Sequence, residues 1–252
     1  MFEQSHLLYY MFHVLGFITT FVFMYFYAKK FSLSPWRVIA LFSIVYPLVY
    51  LFMYFQFWVE SGFKNFGGNN IVRCFIWIPV FALPVAKLLK INYRKTMNLI
   101  AVIPCIIHCV SHIGCIFEGC CYGYPFEYGI WNPALHQYLF PIQIVESLVA
   151  LAIIVFLVFY NKNNEYSDKA KAYPIMLMLF GSTRFFLEFL RDNHKLFWGI
   201  SDLAIHAFVM FVVGLLLYIF YDKIFKIKPE QVNEPVPQKE QKEDADASPE
   251  QQ

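Results

Sequence analysis

Charge is scarce in this chain: Asp, Glu, Lys and Arg together make up 15% of its 252 residues, against 59% hydrophobic and 20% aromatic. A soluble globular domain carries roughly a quarter charged residues, so that class is excluded and a membrane protein is indicated. The chain has no glycine-rich phosphate loop, no internal repeat and no nucleic-acid-binding pattern, and neither nucleotide nor nucleic acid is expected as a partner. It opens Met1-Phe2-Glu3-Gln4, without a basic stretch before the first apolar segment and without a small-residue cleavage site after it. That segment is therefore expected to persist as a span and not to be removed as a leader.

What is present is long apolar runs. Windows of about 20 residues, the length that crosses a bilayer as a helix, occur at 7–28, 38–59, 71–89, 96–116, 139–160, 173–191 and 202–221. The expected fold is all-α and polytopic, with about seven transmembrane helices. Short loops rich in Lys and Arg stay in the cytoplasm, and here Lys29, Lys30, Arg37, Lys87, Lys90, Arg94, Lys95, Lys162, Lys169 and Lys171 fall in alternate loops. This predicts an outer amino terminus and a cytoplasmic carboxyl terminus. The loop from Glu118 to Leu139 holds neither Lys nor Arg and is expected outside. Residues 1–226 read as one membrane domain, and 227–252, acidic and almost without apolar side chains, as a disordered cytoplasmic tail.

Ionisable residues within a span are costly, and a functional role is the default hypothesis for them. Cys105, His108, His112 and Cys115 recur at steps of three and four in the fourth span, which places them on one helix face. Arg184, Glu188 and Arg191 form a similar stripe in the sixth, and Gln143 and Glu146 lie near the start of the fifth. The predicted topology delivers all three sets to one level near the outer surface. Simpler readings stand beside this one. Arg184 and Glu188 would neutralise each other as an i, i+4 pair, the two histidines would bond backbone carbonyls, Gln143 and Glu146 would join helices, and Cys74, Cys105 and Cys109 would be small packing residues.

Cys115, Cys120 and Cys121, with His112, admit a metal or redox reading, although a C-x4-C-C spacing lacks the paired Cys-x-x-Cys of common zinc sites. A disulfide between Cys115 and either Cys120 or Cys121 is a further alternative. Gly114, Gly119 and Gly123 are also explained by close backbone packing alone.

Three stretches carry a family resemblance. SHIGCIFEGCCYG, Ser111 to Gly123, resembles the G-R-x-G-C-F-x-x-G-C-C-Y-G variant of the prolipoprotein diacylglyceryl transferase signature. FPIQIVESL, Phe140 to Leu148, resembles that family's H-P-x-Q-L-Y-E, and RFFLEFLRD, Arg184 to Asp192, its R-F-x-x-E-F-x-R. The resemblance covers roughly residues 65 to 221. It implies seven spans with an outer amino terminus, a location in the bacterial cytoplasmic membrane, and a reaction without a cofactor or metal. The implied substrates are phosphatidylglycerol and a prolipoprotein signal peptide with a lipobox cysteine, whose thiol receives the diacylglyceryl group as glycerol phosphate departs.

Carried over by motif, Arg184 contacts the phosphate, with Glu188, Arg191, Glu146 and Gln143 around it and Gly114, Tyr122 and Gly123 shaping the substrate site. His112 stands where the signature has an arginine, Ser111 replaces its glycine, Glu118 its asparagine, and Phe140 the histidine before Pro141. The family's catalytic histidine belongs near FGGNNIVRCF, Phe66 to Phe75, which holds none; His108 is its candidate replacement as base. Two other classes remain beside the enzyme: a non-catalytic paralogue that binds an anionic lipid, and a metal or redox membrane protein built on the Cys/His cluster.

Overall fold

The computed structural model describes residues 2–64, 71–132, 135–191, 195–197 and 200–225. The acidic tail predicted from residue 227 lies outside the described residues. The chain forms a polytopic helical membrane protein, with eight α-helices among the described residues: α1 Phe2–Lys30, α2 Pro35–Glu60, α3 Ile71–Leu88, α4 Tyr93–Ile100, α5 Ile103–Glu118, α6 Ile142–Asn163, α7 Ala172–Leu187 and α8 Asp202–Ile224. Among the described residues six stretches are long and apolar enough to span a bilayer: 6–30, 35–60, 93–118, 142–163, 172–190 and 202–224. Helix α3 takes the place of the third expected span, with Pro79 and Pro84 inside it.

The fourth expected span is present as the stretch 93–118, with its helix interrupted at Ala101 and Val102 without a change of direction. Its amino-terminal part is α4, capped by the Asn92 side chain, which accepts from the Lys95 amide at 3.0 Å. Ala101 and Val102 form a turn, and α5 restarts with Pro104 in its first turn. Proline has no N–H to give to the carbonyl of the preceding turn and its ring crowds that carbonyl, which accounts for a break at this point.

Helix α5 packs between α1 and α6, α7 lies along α8, and α3 bridges α2 and α8. The core runs the length of this bundle through Met24, Phe31, Leu41, Met53, Met97, Ile103, Leu157 and Met176, each essentially inaccessible. Many other large apolar side chains face outward, among them Leu51, Phe159 and Phe208. An outer surface of this kind is what lipid tails require in place of water.

The two ends of the bundle differ. At one end Asn161 donates to the Asn98 carbonyl at 3.0 Å, Asn98 to the Ser167 carbonyl at 3.1 Å, and the Ala172 amide to Asn98 Oδ1 at 3.0 Å, tying α4, α6 and α7. Arg94 and Lys171 share Asp222 there, each at 2.7 Å. At the other end α5 stops, α6 begins, α7 stops and α8 begins. The loop expected after Glu118 is a β-hairpin, β1 Pro125–Asn132 with β2 Gln137–Leu139, in antiparallel register Ile130 with Leu139 and Trp131 with Tyr138. A second short hairpin, β3 Lys195–Phe197 with β4 Ile200–Ser201, precedes α8. These strands add two small departures to an otherwise all-α architecture.

Candidate active site

Glu146, one turn into α6 and almost wholly buried, is the centre of the hairpin end of the bundle. A bare carboxylate at this depth would cost several kcal/mol, so it survives only with cations and donors around it. Arg184, in the last turn of α7, donates through Nη1 to Glu146 Oε1. Arg191, just beyond the 3-10 turn Glu188–Leu190, binds the same carboxylate with two N–H groups, Nε to Oε1 at 3.0 Å and Nη2 to Oε2 at 2.8 Å. This fork matches the planar spacing of a guanidinium to that of a carboxylate. From α5, His112 Nδ1 lies 3.0 Å and His108 Nε2 3.6 Å from Glu146 Oε2. The two imidazole centroids are 3.9 Å apart.

Glu188 completes the charge balance. Its Oε2 is 3.3 Å from Arg184 Nη2 and 3.8 Å from Arg191 Nε, and its Oε1 accepts from Ser201 Oγ at 3.0 Å. Ser201 also caps α8 by accepting from the Ala204 amide at 3.1 Å, so one hydroxyl ties the helix start to the cluster. Two guanidiniums and two carboxylates sum to zero when the histidines are neutral. In a low-dielectric interior such a balanced group is tolerable, whereas any single member alone is not.

Six of the residues expected at the site thus come together: His108, His112, Glu146, Arg184, Glu188 and Arg191. The expected pairing of Arg184 with Glu188 is present, but Glu146 is the shared partner of both arginines. Gln143 does something else: its amide donates to the Cys120 carbonyl at 2.7 Å and fastens the turn after α5 to the start of α6. Gly114 lies where α5 crosses α1, and a Cβ there would sit 3.0 Å from Phe12 Cβ and 3.2 Å from the Tyr9 carbonyl. At Gly123 a Cβ would lie 2.8 Å from the carbonyl oxygens of both Leu190 and Phe140. This closeness lets Gly123 pair with Arg191 as a β-bridge. Tyr122 lines a small recess with Trp131, Asn132 and Phe140 on the hairpin side.

Three contributors were not expected. Ser201 is one, although a serine ahead of Asp202 and an apolar run is an N-cap signal. Arg73 is another: from α3 it binds Glu60 at the end of α2 and reaches Asp202 of α8 at 3.4 Å, closing the same end of the bundle. Glu118, which replaces the signature's asparagine, is paired with His6 of α1 at 2.8 Å. Cys74 and Cys105 are buried packing residues, Cys74 with its sulfur 3.4 Å from that of Met53.

An apolar hollow runs between α2, α3 and α5, lined by Val45, Tyr50, Phe75, Ile103, Pro104 and Ile107. Aromatic contacts join it to the charged cluster: Phe75 meets Phe180 with ring centroids 5.2 Å apart, and Phe180 meets His108 at 4.9 Å. A polar centre beside an apolar hollow suits a ligand with an anionic head and hydrocarbon tails.

Among the described residues two groups have donor atoms close enough to share a metal ion: His108 with His112 and Glu146, and Cys115 with Cys120 and Cys121, the atoms of each set lying within 4.8 Å of one another. The first is a poor cation site, because Glu146 already accepts from two guanidiniums that would repel the ion. In the second, the Cys121 thiol is pushed down from its ordinary pKa by hydrogen bonds with Cys115 and Cys120, with the Arg191 charge acting in the same direction.

Comparison with known proteins places the chain in a family. The family model for prolipoprotein diacylglyceryl transferase matches residues 7–220. A phosphatidylglycerol–prolipoprotein diacylglyceryl transferase 2 of Clostridium perfringens (strain 13 / Type A) is 28% identical over 166 residues, covering 62% of this chain and 64% of that protein. The phosphatidylglycerol–prolipoprotein diacylglyceryl transferase of Clostridium tetani (strain Massachusetts / E88) is 25% identical over 135 residues, covering 50% and 52% respectively. The chain spans between half and two thirds of the length of these curated relatives.

Proposed function

Because the chain belongs to the prolipoprotein diacylglyceryl transferase family, we propose that it moves the diacylglyceryl group of phosphatidylglycerol onto the lipobox cysteine of a prolipoprotein, at the outer face of a bacterial cytoplasmic membrane. One observation carries the reading: Arg184 and Arg191 meet on Glu146 at one end of the bundle, beside an apolar hollow. In the reaction the cysteine sulfur bonds to the terminal glycerol carbon of the diacylglycerol. The bond from that carbon to the phosphate oxygen breaks, and glycerol phosphate leaves with the electron pair while the thiol loses its proton.

The residues on hand suit the demands of this step. A guanidinium has five N–H donors, and the described contacts to Glu146 and Glu188 leave donors on each arginine for a phosphate. Charge that develops on the leaving phosphate is stabilised by cations already fixed in place, and Glu146 and Glu188 do the fixing. The hollow lined by Phe75 and Ile107 would take an acyl chain, so the lipid need not leave the membrane. Lys29, Lys30, Arg94 and Lys171 mark the opposite end of the bundle, which supports an outward-facing site under the positive-inside rule.

His112 bears on how strongly the site holds an anion. With neutral histidines the cluster sums to zero, and a phosphodiester makes it negative. An arginine at this position would give a cluster of +1 that one phosphodiester neutralises. Mass spectrometry of a lipobox peptide incubated with phosphatidylglycerol and the purified protein tests the proposal, beside Arg184→Ala and His112→Arg. A diacylglyceryl mass gain that Arg184→Ala abolishes supports transfer. A gain confined to His112→Arg indicates a site that retains lipid without transferring it, and silence in every folded variant refutes the enzyme.

A further inference from the structure

The motif left unused by this reading is the cysteine group. Sequence spacing understates it, because C-x4-C-C is not a familiar ligand pattern, yet the fold gathers all three thiols at one place. The cause is the way α5 ends. Gly119 takes a left-handed φ of 70°, the Gly119 amide bonds the Ile116 carbonyl at 3.3 Å, and the Cys120 amide bonds the Cys115 carbonyl at 3.2 Å. This closing turn folds the chain back over the last helical residues and so sets Cys120 above Cys115. Cys121 follows with a φ of 57°, a left-handed conformation rare in residues other than glycine, asparagine and aspartate.

The turn is held from three sides. Asn132 of β1 donates to the Gly119 carbonyl at 3.0 Å, Gln143 of α6 to the Cys120 carbonyl at 2.7 Å, and Gly123 pairs with Arg191. A strained turn anchored at three points that presents three sulfurs within 4.8 Å of one another has the character of a prepared ligand set. Zinc–sulfur bonds of about 2.3 Å put tetrahedral ligand sulfurs about 3.8 Å apart, so the thiols need to draw in by no more than roughly 1 Å. Cys115 is buried, whereas Cys120 and Cys121 are partly exposed, which leaves one side of the group open.

We propose that Cys115, Cys120 and Cys121 are a three-thiolate site for a divalent thiophilic cation of the zinc class, and that its open fourth position takes the acceptor thiol. The identity of that fourth ligand rests on the transferase reading; the metal site does not. The proposal meets a specific need. The transfer requires a thiolate, and His108 and His112 each present one ring nitrogen to Glu146. A thiol bound to a divalent metal gives up its proton outright, so coordination supplies the thiolate without calling on either imidazole. The proton passes to water, the bound sulfur forms its bond to the glycerol carbon, the carbon–oxygen bond breaks, and glycerol phosphate departs with the electron pair. The metal keeps its oxidation state, and the thioether, a weaker ligand than a thiolate, is released. Arg191, next to Gly123 in the β-bridge, is adjacent both to this turn and to Glu146, so the two centres lie on either side of one guanidinium.

The full-length protein in detergent is loaded with Zn2+ or Co2+, freed of excess ion, and assayed for metal content and for cobalt–thiolate absorption. The expected content is about one ion per chain. A lipobox peptide with cysteine should raise the cobalt–thiolate band by about a third as a fourth thiolate binds, and a serine peptide should leave it unchanged. Cys120→Ser with Cys121→Ser should weaken binding at least about tenfold. The site is overturned by absence of stoichiometric metal, by full retention of metal in the double variant, or by a disulfide among the three thiols of the purified protein. A band that ignores the cysteine peptide overturns the fourth ligand. Metal binding with peptide response but no transfer would refute the transferase and keep the site; undiminished transfer by chelated, metal-free protein would keep the transferase and overturn the part of the metal in activating the thiol.

Discussion

Replacing Glu146 by Gln removes one charge while preserving nearly all of the side chain's volume. In the native cluster that carboxylate accepts one bond from Arg184 and two from Arg191, each charge-assisted and worth about 1.5–3 kcal/mol. Glutamine retains one oxygen acceptor and adds an NH2 that faces guanidinium donors, so at most part of this survives. The cluster also acquires a net charge of +1 in a medium of low dielectric. Breaking a buried ion pair on one side costs about 3–5 kcal/mol, and Glu146→Gln is expected to fall there. Reversible unfolding of the detergent-solubilised protein, followed by tryptophan fluorescence against increasing SDS, gives the difference directly. Glu146→Gln combined with Arg191→Gln restores neutrality, and the double variant should be more stable than the sum of the singles by at least about 1 kcal/mol. A single-variant effect below about 0.5 kcal/mol, or strict additivity in the double, would refute the view that Glu146 is the common counter-ion.

Ser201→Ala deletes both the cap of α8 and a donor to Glu188, and should destabilise by about 2–3 kcal/mol; Ser201→Thr, which can keep both bonds, should recover most of the loss in the same unfolding assay. Gly123→Ala places a methyl 2.8 Å from two carbonyl oxygens, so the bridge to Arg191 should open, with a cost of about 1–3 kcal/mol and loss of transfer in the peptide mass assay. In metal-free protein, alkylation of Cys121 followed by peptide mass mapping should continue well below the ordinary thiol pKa of about 8.5, because hydrogen bonds with Cys115 and Cys120 and the Arg191 charge favour its thiolate. The stability this thiolate adds is full above the unfolded pKa and is lost as pH falls through the depressed folded value; a labelling profile rising near the ordinary pKa would contradict it.

Much of this arrangement is local and therefore readable in the sequence. The stripes His108, His112 and Arg184, Glu188, Arg191 follow from helical spacing, and the depth they share follows from alternating helix direction. The role of Glu146 as common partner is not readable, since it depends on how closely α5, α6 and α7 approach, which no spacing within one helix encodes. The break at Ala101–Val102 was open to reading from Pro104 but was masked by an unbroken apolar run. The hairpin is hidden for a related reason: FEYGIWN and QYL are rich in strand-forming aromatics, yet they are short and lie between two apolar windows, where span length and hydropathy carry no strand signal. The thiol cluster depends on a helix-ending turn three residues long, whose geometry glycine permits but does not announce.

The position of Glu146 also constrains how the protein is built. The carboxylate is on α6, while the two guanidiniums that pair with it come from the last turn of α7 and from just beyond the 3-10 turn that follows it. During synthesis α6 emerges first, carrying an acid whose burial in the hydrocarbon layer is unfavourable until it is paired. Until Arg184 and Arg191 have left the ribosome, it lacks both of the guanidiniums that pair with it in the folded protein. Helices α6 and α7 should therefore settle into the bilayer as a pair, and a chain truncated between them should leave α6 slow to partition from the insertion machinery into lipid.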